Sequence, residues 1–397
     1  MKDFIKKIHG DKTIWAIVVL LSILSILVVY SSISTLAYKY KSGDTVPFLL
    51  KHTGTVLVGL FLMFLTHKVR SSYYSRFAII GLIVAAPLLL FTLVSGSNIN
   101  EASRWLRIPM TNLTFQTSDF AKIALILYVA RTLAVRQDTI KELRTFLHVI
   151  IPVGLVCLLI MPANFSTSAM LFTTCLVLMF IGRINYKHIL SVIGSGIVAI
   201  CLLGLLIWNF PNAIHRGATW KARLENFSSG KSESNYQVEQ AKIAIATGGI
   251  FGKGPGKSTQ RNFLPHPYSD FIYAIIIEEY GMWMAVFVIF LYLVLLYRAV
   301  RIATKCQKIF PSLLAIGCSI ILVFQALINM AVAVNLVPVT GQTLPLVSMG
   351  GTSLWFTSIA IGMVLSASRE LEKEKVPKPA KEVVGKSASE EEMAAAV

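Results

Sequence analysis

The sequence predicts an all-α polytopic membrane protein with ten transmembrane helices, and three observations carry that prediction. Hydrophobic residues make up 55% of the 397 residues and charged ones only 14%, against roughly a quarter charged in soluble domains. The apolar residues gather into runs long enough to cross a ~30 Å hydrocarbon core. Most of the 37 Lys and Arg residues lie between those runs, with an asymmetry that sets an orientation.

The apolar runs fall at 13–36, 46–66, 77–96, 118–135, 146–162, 165–182, 189–208, 270–297, 310–334 and 351–368. With the N-terminus in the cytoplasm, the inner segments hold 23 cations and the outer ones 13. Eight of those 13 sit in one long segment, 209–269, and long loops weigh little in the positive-inside rule. Both termini are then expected in the cytoplasm and 209–269 outside. Topology accounts for the net charge of +17; no basic domain suited to tracking nucleic acid is present.

Residues 1–12 read as a basic cytoplasmic N-terminus without a signal-peptide cleavage site, 13–368 as the membrane domain, and 369–397 as a disordered cytoplasmic tail. Cys157, Cys175, Cys201, Cys306 and Cys318 lie in spans or inner loops. They read as small apolar packers, with neither disulfides nor a Cys metal site suggested.

The chemistry-bearing residues gather at the outer ends of the spans. Asp270 closes the long outer segment as Leu264-Pro-His-Pro-Tyr-Ser-Asp270. A carboxylate at the edge of the hydrocarbon is a functional-site candidate; helix N-capping is the alternative. Glu278 and Glu279 follow about two helical turns later, so either is expected to face the same cavity. Asp119 and Lys122 stand three residues apart on one helix face and are expected to pair. Ser166 and Thr167 lie in the corner between spans five and six, where small hydroxyl residues also serve close helix packing.

The segment before the last span carries Ser348, Gly350, Gly351, Thr352 and Ser353 and is too rich in Gly and Pro for a helix. Its glycines fit either a phosphate approaching backbone amides or a tight turn. The run Gly248 to Ser258 is not a nucleotide loop, because a Walker pattern ending in Lys257-Ser258 needs glycine where Phe251 stands.

Over nearly all of 13–368 the chain resembles the SEDS (shape, elongation, division and sporulation) proteins, the FtsW and RodA group. The matching residues are Arg104-Trp-Leu, Gln116-Thr-Ser-Asp-Phe-Ala-Lys122, Gly248 to Ser258, Leu264 to Tyr273 with Glu278-Glu279-Tyr-Gly281, and Leu344 to Leu354. Two positions depart from the family. Asp119 replaces the glutamate of QPSEFAK, and the QPDxGT corner reads Met161-Pro-Ala-Asn164-Phe-Ser-Thr, an amide in place of a carboxylate. Asn164 can hydrogen-bond Lys122 but cannot neutralise it.

The resemblance implies a peptidoglycan glycosyltransferase that polymerises lipid II on the outer face of the bacterial cytoplasmic membrane, with a class B penicillin-binding transpeptidase as partner. In that chemistry Asp270 is the general base for an inverting sugar transfer. Arg216, Lys221, Arg223, Lys253 and Lys257 are the candidate cations for the departing pyrophosphate. No tightly bound cofactor or metal is expected, and a loosely held magnesium or manganese ion is compatible with the chemistry. A lipid II flippase and a non-catalytic scaffold are the competing readings. The charged segments flanking the membrane domain favour an FtsW-like role at the division septum over RodA-like elongation.

Overall fold

The computed structural model describes residues 9–33, 44–95, 97–99, 102–107, 114–210, 217, 219, 221 and 233–375. Helix α1 (Lys12–Ser32) begins where the Asp11 carboxylate accepts the amides of Thr13 at 2.9 Å and Ile14 at 3.3 Å, satisfying donors that the first turn leaves unpaired. Helices α2 (Val46–Lys68) and α3 (Ser71–Ser95) follow, joined by a short turn. Segment 97–116, expected as an outer loop, instead forms an antiparallel sheet of β1 (Ser97–Ile99), β2 (Ala102–Arg107) and β3 (Thr114–Gln116) in the order β1-β2-β3. Trp105 lies opposite Gln116 across it.

Strand β3 runs directly into α4 (Thr117–Val135), then α5 (Leu143–Ile160), α6 (Phe165–Ile181) and α7 (Tyr186–Asn209). Asn164 caps α6 by accepting the Thr167 amide at 3.3 Å, and Asn185 caps α7 through the Lys187 amide at 3.1 Å. The long segment 209–269 contains a helix, α8 (Glu233–Gly248). The chain then forms α9 (Ile272–Tyr280), α10 (Met282–Lys305), α11 (Ile309–Ala333) and α12 (Thr352–Lys375).

Seven of these helices, α1, α2, α3, α5, α7, α10 and α11, are long and apolar enough to cross a membrane. Helices α4, α6 and α12 fall on the other expected spans but are shorter or more polar. The expected span 270–297 is broken: Gly281 takes φ 84° and separates the short α9 from α10. The expected disordered tail is helical up to Lys375; residues 376–397 lie outside those described.

The glycine-rich run explains the break. The amides of Lys253 and Gly254 donate to the carbonyls of Glu278 (2.9 Å) and Glu279 (2.8 Å), closing the C-terminus of α9 from outside the helix. The contact needs bare backbone on both sides. A Cβ on Gly252 would stand 2.3 Å from the Glu279 carbonyl oxygen, and one on Gly281 would stand 2.1 Å from that of Ile250.

Helix α11 is the hub, buried along most of its length, whereas α7 stands off the bundle and buries only Ile189 and Ile207. Where α1 begins, Arg298 of α10 grips the Asp11 carboxylate through Nε at 2.7 Å and Nη2 at 2.5 Å. At this same end Glu370 of α12 accepts both the amide and the hydroxyl of Ser71, each at 2.6 Å, capping α3 where its dipole favours an acid. Glu372 accepts the Gly10 amide at 2.8 Å. At the opposite end of α1, Arg261 donates to the Ser31 carbonyl at 3.0 Å.

Two stability outcomes follow. Gly281→Ala and Gly252→Ala are each expected to cost roughly 2–4 kcal/mol from positive-φ strain and overpacking; an unchanged thermal midpoint in detergent would contradict the backbone contact. Glu370→Ala is expected to cost about 1 kcal/mol, the size of a lost helix cap, read from the same melting experiment.

Candidate active site

Asp270 lies half-buried in the turn that precedes α9. That helix takes Phe271 as its N-cap, so Asp270 stands one residue before the cap position. Ser269 Oγ donates to Asp270 Oδ1 at 2.8 Å. The backbone around the carboxylate is fixed against the segment before α12. Ser348 Oγ donates to the Ser269 carbonyl at 2.6 Å and the Met349 amide to the Tyr268 carbonyl at 2.9 Å. Asn329 Nδ2 donates to the Asp270 carbonyl at 2.9 Å.

Residues 334–351 have no helix, and within them Gln342 and Leu344 to Ser348 are buried in protein. The carbonyls of this stretch are met one by one. Ser25 Oγ, 2.9 Å from His52 Nε2, donates to Val347 at 2.7 Å; Tyr292 donates to Pro345; Gln325 Nε2 donates to Thr343 at 2.9 Å. Leu346 is held at φ 63° within this frame. Ser348, which also accepts the Leu344 amide at 2.8 Å, therefore braces the Asp270 turn. Gly351 takes φ 57° and Thr352 opens α12, with Thr352 Oγ1 accepting the Gln116 amide at 3.4 Å. The Ser353 amide closes a turn onto the Gly350 carbonyl at 3.2 Å.

Asp119 and Lys122 pair at 2.7 Å, both buried on the first two turns of α4. The amide partner of Lys122 is Gln325 of α11, whose Oε1 accepts at 3.1 Å, and not Asn164. Asn164 instead caps α6 with its Oδ1, leaving Nδ2 buried without a partner. Gln325 and Asn329 are absent from the sequence-derived candidates. Their signal is two amides one helical turn apart in an otherwise apolar run.

Glu278 and Glu279 are fully buried, but their carboxylates are engaged with donors of the segment 209–269. Glu278 receives Lys253 Nζ at 2.6 Å, Thr259 N at 3.0 Å, Thr259 Oγ1 at 2.9 Å and Ser258 Oγ at 2.5 Å. Glu279 receives Ser31 Oγ and the Ser258 amide, the latter at 3.3 Å. The expectation that one of them shares the cavity of Asp270 gives way to this gathering of donors along 253–260. Lys253 is consequently neutralised by Glu278 and is the least suited of the candidate cations to meet a pyrophosphate.

An apolar cavity of about 540 Å³ lies between α6, α7 and α11. Asn164, Ser166 and Thr340 line its polar part and Leu203, Ile207 and Phe324 its apolar part. Asp270 is not in its wall. The two are joined through Thr167, which accepts Gln342 Nε2 at 2.5 Å, and through Asn329, which donates to the Gln342 carbonyl at 2.7 Å. Lys221 Nζ donates to the Trp208 carbonyl at 3.3 Å, one residue from Ile207. Arg104 lies within β2; Arg216 and Arg223 lie outside the described residues. Among the described residues there is no group of three His, Cys, Asp or Glu able to hold a metal ion.

The FTSW_RODA_SPOVE family model, described as cell cycle protein, matches residues 11–373. A probable peptidoglycan glycosyltransferase FtsW of Trichlorobacter lovleyi is 32% identical over 366 residues, covering 91% of this chain and 93% of that protein. The stage V sporulation protein E of Bacillus subtilis is 31% identical, covering 92% and 98%. Among solved structures, a chain of a peptidoglycan synthase complex that coordinates polymerization and crosslinking aligns with TM-score 0.73 at 23% identity, covering 91% and 98%. The rod shape determining protein RodA of Thermus thermophilus aligns with TM-score 0.66 at 23% identity, covering 92% and 98%. The likeness to both structures is one of fold, and with the family match over nearly the whole length it has a single consequence: the chain belongs to the FtsW, RodA and SpoVE family of cell cycle proteins.

Proposed function

We propose that the chain is a peptidoglycan glycosyltransferase that polymerises lipid II at the outer face of the bacterial cytoplasmic membrane, with Asp270 as general base. The observation that carries this reading is the position of Asp270. It is a half-buried carboxylate that accepts Ser269 Oγ, on a backbone locked to residues 348–349 and linked by hydrogen bonds through Gln342 to Thr167 beside an apolar groove.

In the proposed step Asp270 takes the proton of an acceptor 4-hydroxyl as that oxygen attacks an anomeric carbon. The bond from that carbon to undecaprenyl pyrophosphate breaks, and the anomer inverts. The groove beside α7 gives the prenyl chain apolar surface, and the weak packing of α7 leaves a lateral way to the lipid. Lys221, next to the groove-lining Ile207, is the described cation best placed for the pyrophosphate, with Arg216 and Arg223 as further candidates and a loosely held magnesium or manganese ion supplying the remaining charge. Gly350, Gly351, Thr352 and Ser353 offer backbone and hydroxyl donors at the start of α12.

The reading includes ten crossings, with α4, α6 and α12 joining the seven long apolar helices and both termini in the cytoplasm. It places the Asp11 and Glu370 clusters on the cytoplasmic side and Arg261 and Asp270 outside. It also includes a class B penicillin-binding transpeptidase as partner and a role at the division septum, supported by the FtsW names among relatives.

Polymerisation of labelled lipid II by the purified chain, with and without its cognate transpeptidase, tests the proposal. Asp270→Ala and Asp270→Asn are expected to lose more than about 100-fold in rate, the scale of a positioned general base. Full activity in both would remove Asp270 as base, and lipid II movement across vesicles without glycan strands would favour a flippase. For the buried pair, Lys122→Met is expected to cost about 3–5 kcal/mol by leaving Asp119 uncompensated, and Asp119→Asn with Lys122→Met together to cost less than Lys122→Met alone; melting midpoints in detergent decide the order.

A further inference from the structure

We infer that Asn329 is the positioning residue for Asp270, holding the base's backbone at a fixed distance from the segment that leads into α12. The inference rests on the polymerase reading above and names the side chain on which the geometry of its base depends.

Asn329 is 1% exposed, within the hub helix α11. Its single Nδ2 serves two carbonyls, that of Asp270 at 2.9 Å and that of Gln342 at 2.7 Å. Both donor hydrogens of the amide are thereby used, one on each of two segments far apart in sequence. The other end of the amide, Oδ1, is buried and accepts nothing. Turning the amide over would put that oxygen against two carbonyl oxygens, so only one orientation is allowed. No hydrophobic residue of similar size, and no carboxylate, supplies two donors at one point.

The arrangement is supported from one turn earlier on the same helix. Gln325 spends its Oε1 on Lys122 and its Nε2 on the Thr343 carbonyl, so the adjacent carbonyls of Gln342 and Thr343 are both held by α11. Asn329 alone reaches onward to Asp270. The Ser348 hydroxyl and the Met349 amide bond to Ser269 and Tyr268, which fixes the preceding backbone; the carbonyl of Asp270 itself is fixed by Asn329. A displacement of about 1 Å at a reacting group can cost on the order of 100-fold in rate without weakening substrate binding. That is the signature expected of a residue that touches the base's backbone and not the substrate.

The experiment compares the full-length wild type, Asn329→Leu and Asn329→Asp, each reconstituted with the transpeptidase and supplied with labelled lipid II. It reads kcat, KM for lipid II, the melting midpoint, and backbone amide exchange by mass spectrometry. Both variants are expected to lower kcat roughly 10- to 100-fold with KM changed less than about threefold. The melting midpoint of Asn329→Leu is expected to fall by only a few degrees and that of Asn329→Asp by more, because a carboxylate there meets two carbonyl oxygens, with faster exchange confined in both to 266–272 and 340–350. Wild-type kcat in both variants overturns the inference. A rate loss that tracks the fall in melting midpoint, with exchange raised along all of α11, overturns it too, by making Asn329 a general core residue. If the wild type itself makes no glycan, the polymerase reading fails, and the local exchange pattern still decides whether Asn329 holds the Asp270 backbone.

Discussion

The burial of Lys122 is the constraint on which the rest of the site depends. An ammonium 8% exposed among apolar helices is too costly to leave with one hydrogen-bonding partner. Asp119 supplies the opposite charge one turn earlier on α4, and Gln325 supplies a second acceptor from α11. Engaging its oxygen with Lys122 fixes which way the Gln325 amide faces, so its nitrogen must point at the Thr343 carbonyl. The placement of 342–351 follows, and with it Ser348, which holds the Asp270 turn. The ion pair is thus a foundation for the segment that carries the site, linked to Asp270 through Gln325, Thr343 and Ser348.

This dependence explains what the sequence disclosed and what it did not. The spans were legible because hydrocarbon imposes length and composition on each helix independently. Asp270 was legible because a carboxylate at the edge of an apolar run is costly wherever its neighbours lie. The Asp119 and Lys122 pair was legible because helix geometry alone brings residues three apart together. The partners across the fold were not. Asn164 looked like the amide for Lys122 because it stands in a corner that matches a family motif, yet its side chain is used locally, by the first turn of α6. Glu278 and Glu279 follow Asp270 at helical spacing, but spacing within one helix cannot show that a distant glycine-rich run will bring Lys253, Ser258 and Thr259 to one of them. The break at Gly281 was hidden for the same reason: the residues on both sides are apolar, and only the approach of residues 249–254 makes a continuous helix unnecessary.

Rigidity and openness are divided between the two sides of the candidate site, and the division matches what a lipid-linked substrate demands. On one side α1, α10 and α11 donate to the carbonyls of Val347, Pro345, Thr343 and Gln342, so Asp270 sits beside backbone that has little freedom to move. On the other side α7 buries only Ile189 and Ile207 of its whole length, and residues such as Leu202 and Leu205 are more than 60% exposed. A helix held so lightly can shift at small cost, because few contacts are lost when it does. A reaction that joins two lipid-anchored sugars needs both properties at once. The attacking oxygen must be met by a base in a fixed place, while a long apolar chain must enter and leave sideways within the bilayer. Thr167 and Gln342 lie on the seam between the two halves, and their 2.5 Å hydrogen bond joins the base of α6, where the groove begins, to the loop that carries the braced backbone. Movement of α7 therefore leaves Asp270 undisturbed as long as α6 stays in place, which its packing against α11, α5 and α4 provides.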